Sequence, residues 1–131
     1  MEQRNVQGKS REELAKDYLR GYQLCANLLN LQRFRRRRVR NSYREKADAE
    51  NESVWRAQML EIEQLVNSLP NCREKMILYY RYILGESVES AADLLDVSRR
   101  TGYRLHQRGL KMIGTHLEHM QKSDFSFLKF A

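Results

Sequence analysis

The sequence predicts an all-α protein, a helical bundle with an N-terminal helical arm. One proline and six glycines occur in 131 residues, so the chain lacks the turn residues that an all-β fold requires. Apolar residues recur at helical spacing along most of the chain. A chain of this length has room for one modest core, which excludes a large multidomain enzyme.

We divide the chain into three parts. Residues 1–50 hold an N-terminal helix and an arginine-rich segment, residues 51–122 form a helical domain, and residues 123–131 form an apolar tail. The N-terminal helix begins at Arg11 and ends near Leu31. Ser10 is placed to cap it, and Glu13, three residues on, completes a capping box.

The arginine-rich segment covers residues 32–46, where eight Arg or Lys residues occur with a single Glu45. Three interpretations remain open: a solvated linker or helix surface, an arm that contacts phosphates without reading sequence, and an arginine-rich RNA-binding helix. In the second interpretation, the candidate phosphate contacts are Arg35, Arg36, Arg37 and Arg38.

Two further helices follow. Residues 47–69 hold five acidic side chains against Arg56 and keep helical apolar spacing, which predicts an acidic amphipathic helix. Pro70 marks a boundary, and a third helix follows it. Gly85 suits the C-terminal end of that helix because glycine adopts positive φ without strain.

Charge is sorted sharply between the next two segments. Residues 85–97 carry four acidic side chains and no basic one, whereas residues 98–111 carry five cationic side chains and no acidic one. Ser87 is a plausible cap for a short helix, and Ser98 for the next, with a tight turn at Asp96-Val97 between them. Two helices joined in this way predict a helix-turn-helix over residues 87–113, whose second helix enters the major groove of DNA.

The second helix of this motif has two distinct faces. Its exposed face is basic, and arginine can donate two parallel hydrogen bonds to guanine. Two glycines on its inward face allow close approach of the neighbouring helix. The inward set is Gly102, Leu105, Gly109, Met112 and Ile113. The outward set is Arg99, Arg100, Tyr103, Arg104, Gln107 and Arg108.

Residues 69–113 resemble the C-terminal helix-turn-helix domain of sigma factors, which reads the promoter −35 element. They are similar in particular to the small phage and prophage regulators of the ArpU/RinA type. The matching elements are Leu69-Pro70, Tyr82 with Gly85, Ala91-Ala92, Val97-Ser98-Arg99, Thr101, and Tyr103-Arg104. The resemblance implies a stand-alone activator of late phage genes.

The resemblance also implies roles for individual side chains. Arg99, Arg100 and Arg104 are the base-reading candidates, while Tyr103 and Arg108 would contact phosphate. Gly102 departs from the family pattern, which has a larger residue at that position. The remaining candidate phosphate contacts on this helix are Ser98, Thr101, Gln107 and Lys111.

Composition narrows the choice of partner and location. The formal net charge of +7 and the isoelectric point near 9.6 favour an anionic partner, double-stranded DNA above all. RNA polymerase and a second copy of the chain are further candidate partners. No apolar run is long enough to span a membrane, and Cys25 and Cys72 lack CxxC spacing, so we expect a cytoplasmic, nucleoid-associated protein without a membrane partner.

The expected function is therefore sequence-specific DNA binding in transcription regulation. We expect no enzyme activity, no cofactor and no metal, because His116 and His119 lack a third ligand nearby. Two alternatives remain. The first is a DNA-packaging protein like a terminase small subunit, and the second is an RNA-binding or antitermination factor that uses the run from Arg33 to Arg40.

Overall fold

The computed structural model describes residues 10–38 and 42–123, with the backbone alone for residues 37, 38, 42–44 and 121–123. Over this part of the chain it contains no strand, and the predicted all-α fold is confirmed. The predicted apolar tail lies outside the described residues beyond Ser123. The helices are α1 (Arg11–Arg38), α2 (Ser42–Asn67), α3 (Arg73–Leu78), α4 (Val88–Leu94) and α5 (Arg99–Ser123).

Helix α1 begins as the sequence predicts but ends later. The Ser10 N–H donates to Glu13 Oε1 at 3.0 Å and the Glu13 N–H donates to Ser10 Oγ at 3.2 Å, which confirms the capping box. The helix continues past the end predicted near Leu31, as far as Arg38. Part of the arginine-rich segment is therefore helical, which agrees with the good helix propensity of arginine.

The core draws on all five helices. Helix α1 contributes Ala15 and Leu19, both fully buried, so the first half of α1 belongs to the core rather than to an appended arm. Burying such side chains together is the main favourable contribution to folding. The largest fully buried side chains are Leu19, Ile62, Val66, Ile77, Leu78, Leu110 and Ile113.

The second half of α1 lies outside this core. The core cluster contains no residue between 20 and 61. Over that length α1 bonds to α2: the Gln32 side chain donates to the Asp48 carbonyl at 2.8 Å, and Cys25 Sγ lies 3.7 Å from Gln58 Oε1. Residues 24–38 of α1 and 42–60 of α2 thus form a two-helix extension, called the hairpin below.

A π-helical turn, Tyr79–Ile83, connects α3 to the segment before α4. The last carbonyl groups of this helical segment have no partner within the helix, and the Gln23 side-chain amide donates to two of them, Tyr82 O at 3.2 Å and Ile83 O at 3.0 Å. Gly85 then ends the helix with a φ of 79°, as predicted. Helix α1 is thereby attached directly to the segment that leads into α4.

Candidate nucleic-acid interface

A tight turn joins α4 to α5. The Val97 N–H donates to the Ala92 carbonyl at 3.0 Å and the Asp96 N–H to the Asp93 carbonyl at 3.1 Å. This pair of bonds is a Schellman motif, and its left-handed residue is Asp96, with a φ of 58°. The turn therefore reverses the chain over the two residues that the sequence indicated.

Both helices of the motif have the predicted N-caps. Ser87 Oγ accepts a hydrogen bond from the Ser90 N–H at 3.0 Å, and Ser98 Oγ accepts one from the Thr101 N–H at 3.1 Å. The Ser98 hydroxyl also donates to Thr101 Oγ1 at 3.0 Å. Because these hydroxyl groups cap the first turn of α5, Ser98 and Thr101 stabilise the start of the helix that carries the exposed basic residues.

Glycine allows α5 to lie close to its neighbours. A Cβ atom on Gly102 would stand 2.6 Å from the Cβ of Ala92, and one on Gly109 would stand 2.9 Å from Leu78 Cγ. Leu105 and Ile113 are buried on the same face, with Met112 partly buried, as predicted. The glycine at position 102 thus has a local cause, which is the close contact with α4.

The exposed face of α5 is cationic. Arg100, Arg104, Arg108 and Lys111 are all exposed, and their spacing of four, four and three residues places them along one stripe about 16 Å long. Among the described residues, Arg100 and Arg104 have no ion pair or hydrogen bond. Gln107 is also exposed beside them, and Arg99 is exposed at the first turn.

The far end of the stripe faces two carboxylates. Arg108 Nη1 lies 3.9 Å from Glu74 Oε2, and Lys111 Nζ lies 3.9 Å from Glu12 Oε2. The Arg108 and Lys111 side chains remain 61% and 65% exposed, so each contact contributes little stability and is easily exchanged for a phosphate. All four cations of the stripe are therefore accessible to an anionic ligand.

Tyr103 and Arg99 lie beside an acidic residue of α4. The Tyr103 hydroxyl donates a hydrogen bond to the Glu89 carboxylate. This bond lowers the pKa of Glu89, as Arg99 does to a lesser extent, and it raises the pKa of Tyr103. The acidic segment is thus paired in part with the basic helix. The sequence gives no spacing signal for this contact because fourteen positions separate the two residues.

The arginine-rich end of α1 is paired with α2. Arg35 Nη2 lies 3.4 Å from Asp48 Oδ1, and Arg36 forms an ion pair with Glu52. The two carboxylate side chains are only 8% and 7% exposed, so they depend on these cations for compensation. The Arg37 and Arg38 side chains lie outside the described residues.

The two basic regions do not meet. Lys16 of α1 lies near His106 of α5, where its charge helps to lower the histidine pKa. Arg36 follows Lys16 by 20 positions on one continuous helix, which is about 30 Å of helix length. The structure therefore joins the predicted contacts of residues 98–111 into one surface and leaves Arg35 and Arg36 elsewhere.

No family model matches the chain, nor does any curated protein or solved structure. What this surface can bind is therefore inferred from its own residues. Four cations on one helix face, at spacings of three and four residues, match the charge and the helical shape that a nucleic-acid groove accepts.

Behind the exposed face lies a buried polar pair that the sequence did not predict. The Tyr82 hydroxyl and His106 Nε2 are 2.8 Å apart, and their rings stack with centroids 5.7 Å apart. Burial, together with the nearby charges of Lys16 and Arg81, lowers the pKa of His106 to about 4. The ring is consequently neutral near pH 7 and acts as a structural contact between α5 and the π-helical turn.

The candidate metal ligands and the two thiols can be located in the part of the chain that the structure describes. No group of three or more His, Cys, Asp or Glu residues is arranged to hold a metal ion there. His116 and His119 are exposed, while Cys25 is buried and Cys72 partly buried, both as free thiols. None of the described helices combines the length and apolar character needed to cross a membrane.

Proposed function

We propose that this protein is a sequence-specific DNA-binding transcriptional regulator that reads the major groove with α5. One observation carries the proposal: Arg100 and Arg104 lie exposed on the first turns of α5 and pair with none of the described residues, and a tight turn and close packing set the position of this helix. Guanidinium groups in this position can make paired hydrogen bonds to guanine O6 and N7.

The rest of the surface fits the sugar-phosphate backbone. Arg108 and Lys111 continue the stripe, and Gln107 lies beside them. Contacts from such side chains release counterions from DNA and fix the register of the reading helix. The formal net charge of +7 favours the same partner over long range.

A finer assignment rests on the resemblance of residues 69–113 to sigma factors and to ArpU/RinA-type regulators. On that basis the protein is a non-catalytic, cytoplasmic activator of phage-type late genes. Helix α4 would offer a face to RNA polymerase, because Asp93 and Leu94 are both exposed on it and α5 would be occupied by DNA. Residues 11–23 of α1, packed on α5, would help to support the complex.

The first test is a selection from a random pool of duplex DNA, followed by titration of the enriched site. We expect one short motif. Arg104→Ala should weaken binding to that motif by about 10- to 100-fold, which corresponds to 1–3 kcal/mol per base contact, and should broaden the preference at one position. Arg20→Ala is the matched control, because it removes an exposed arginine from α1 and should leave the motif unchanged.

Three results would count against the proposal. Binding without any enriched motif would remove sequence-specific regulation and favour a packaging protein, as would assembly into rings larger than a dimer. Preference for hairpin RNA over duplex DNA would favour an antitermination factor. The pairing of Arg35 with Asp48 and of Arg36 with Glu52 makes that last outcome less compatible with the fold.

A further inference from the structure

Acidic side chains from three helices border the cationic face of α5. Glu89 of α4 contacts its first turns, whereas Glu74 of α3 and Glu12 of α1 lie beside its far end. The two contacts at the far end have N···O distances of 3.9 Å and leave their cations mostly exposed. Glu89 differs because it accepts a hydrogen bond from α5, which fixes its carboxylate beside the start of that helix.

The hydrogen bond to Glu89 comes from the Tyr103 hydroxyl. Tyr103 follows Arg99 by four residues, about one turn, so the two side chains lie on the same side of α5. The hydrogen bond is the main reason why the pKa of Glu89 is lowered, and the nearby charge of Arg99 lowers it further. The carboxylate is thus anionic near pH 7 and close enough to Arg99 to offset part of its charge.

The next two arginines of α5 lack such a contact. Arg100 and Arg104 pair with none of the described residues. One step along an α-helix rotates the side-chain direction by about 100°, so Arg100 lies on a different side of α5 from Arg99. Glu89 therefore offsets the charge of Arg99 more than that of Arg100 or Arg104.

The position of Glu89 matters when α5 enters the major groove, and this step rests on the proposed function. In a helix-turn-helix, the first helix crosses the phosphate backbone and the start of the second contacts base edges. Glu89 is in the first turn of α4, and Arg99 is the first residue of α5. An uncompensated cation at this boundary would bind phosphate in any sequence, and phosphate contacts supply nearly all of the sequence-independent affinity for DNA.

We infer that Glu89 is a specificity-determining residue, which offsets the charge of Arg99 and so limits binding to DNA of unrelated sequence. Affinity then depends more on Arg100 and Arg104, whose contacts differ from base to base. Specificity is a difference between two affinities, so weaker binding to unrelated DNA raises it as effectively as tighter binding to the target. The resemblance assigns Arg99 to a base and Tyr103 to a phosphate, whereas this inference assigns both to the contact with Glu89.

The test measures affinity for a random duplex and for the enriched motif over a range of salt concentrations. Glu89→Gln keeps an acceptor for the Tyr103 hydroxyl but removes the charge. Its affinity for the random duplex should rise by about three- to tenfold at moderate salt, and the slope of log affinity against log salt should steepen by about one, because Arg99 gains a phosphate contact. Affinity for the motif should rise less, because base contacts already fix where the backbone lies.

Asp93→Asn is the matched control. Asp93 is exposed on the same helix and has no side-chain bond within the described residues, so the variant removes the same charge without breaking a contact to α5. It should change affinity for the random duplex by less than about twofold, because exposed charges are screened by salt. Combining Arg99→Ala with Glu89→Gln should abolish the gain, which assigns the effect to Arg99.

The outcomes separate this inference from the proposed function. Equal affinities and salt slopes for Glu89→Gln and Asp93→Asn would overturn the inference, while an enriched motif for the parent would leave the proposed function standing. A gain that persists without Arg99 would also overturn it, as would an equal gain for the motif and the random duplex. A parent that enriches no motif overturns the proposed function, and the role of Glu89 in specificity with it.

Discussion

At the scale of single residues, the short distance between α4 and α5 depends on the absence of a side chain at Gly102. The inward position of this residue is predictable from helical spacing. The reason for a glycine is not, because it depends on Ala92, ten positions earlier, whose Cβ lies in the space that a larger side chain would occupy. The same limit applies to Tyr103 with Glu89 and to Tyr82 with His106, whose partners are distant in sequence and follow no helical period.

Gly102→Ala should therefore lower the free energy of unfolding by about 1–3 kcal/mol, because the added methyl group forces α4 and α5 apart. Gly21→Ala is the control. There the nearest atom to a new Cβ is Ile62 Cδ1 at 3.3 Å, followed by Gln58 Nε2 at 3.7 Å, and both are ends of flexible side chains. We expect Gly21→Ala to be neutral or stabilising by up to about 1 kcal/mol through helix propensity.

Urea denaturation of both variants measures the difference directly. If Gly102→Ala were as stable as Gly21→Ala, the close contact between α4 and α5 would be wrong. DNA affinity of the Gly102 variant should fall as well, because a displaced α5 no longer presents Arg100 and Arg104 at the same angle.

At the scale of elements, the order of helices and their caps are predictable, while the extent of α1 is not. Like charges in residues 32–46 suggest a break or a linker. The helix persists to Arg38 because α2 supplies Asp48 and Glu52 at a spacing of four residues, where they meet Arg35 and Arg36. The sequence of the basic segment alone does not show that carboxylates of α2 neutralise its charge.

The turn between α4 and α5 offers a test at this scale. Asp96 adopts the left-handed conformation, in which glycine is unstrained and β-branched residues are strongly disfavoured. Asp96→Gly should keep or raise the free energy of unfolding by up to about 1 kcal/mol, whereas Asp96→Val should lower it by about 1–2 kcal/mol. Thermal or urea unfolding checks the order, and equal stability of the two variants would exclude the Schellman turn.

At the scale of the whole molecule, His106 makes stability depend on pH. Its pKa falls from the usual 6.5 to about 4 on folding, so the unfolded chain takes up a proton that the folded chain does not. The contribution of His106 to the free energy of unfolding is therefore greatest above pH 6.5. It declines as the pH falls toward 4, by up to about 2–3 kcal/mol.

Unfolding free energies measured across that range check the effect, with His106→Gln as the variant that cannot titrate. The variant should be less stable at neutral pH because the packed ring is lost, but its stability should vary less with pH. A parallel pH profile for the two proteins would show that His106 is not buried as a neutral ring.

The continuity of α1 also restricts how this architecture can change in length. One residue inserted between its core half and the hairpin would rotate everything beyond it by about 100° and advance it by about 1.5 Å. Arg35 and Arg36 would then turn away from Asp48 and Glu52, and the buried Asp48 carboxylate would lose its cation. A longer or shorter hairpin therefore requires matched steps of about seven residues, two full turns, in both helices at once.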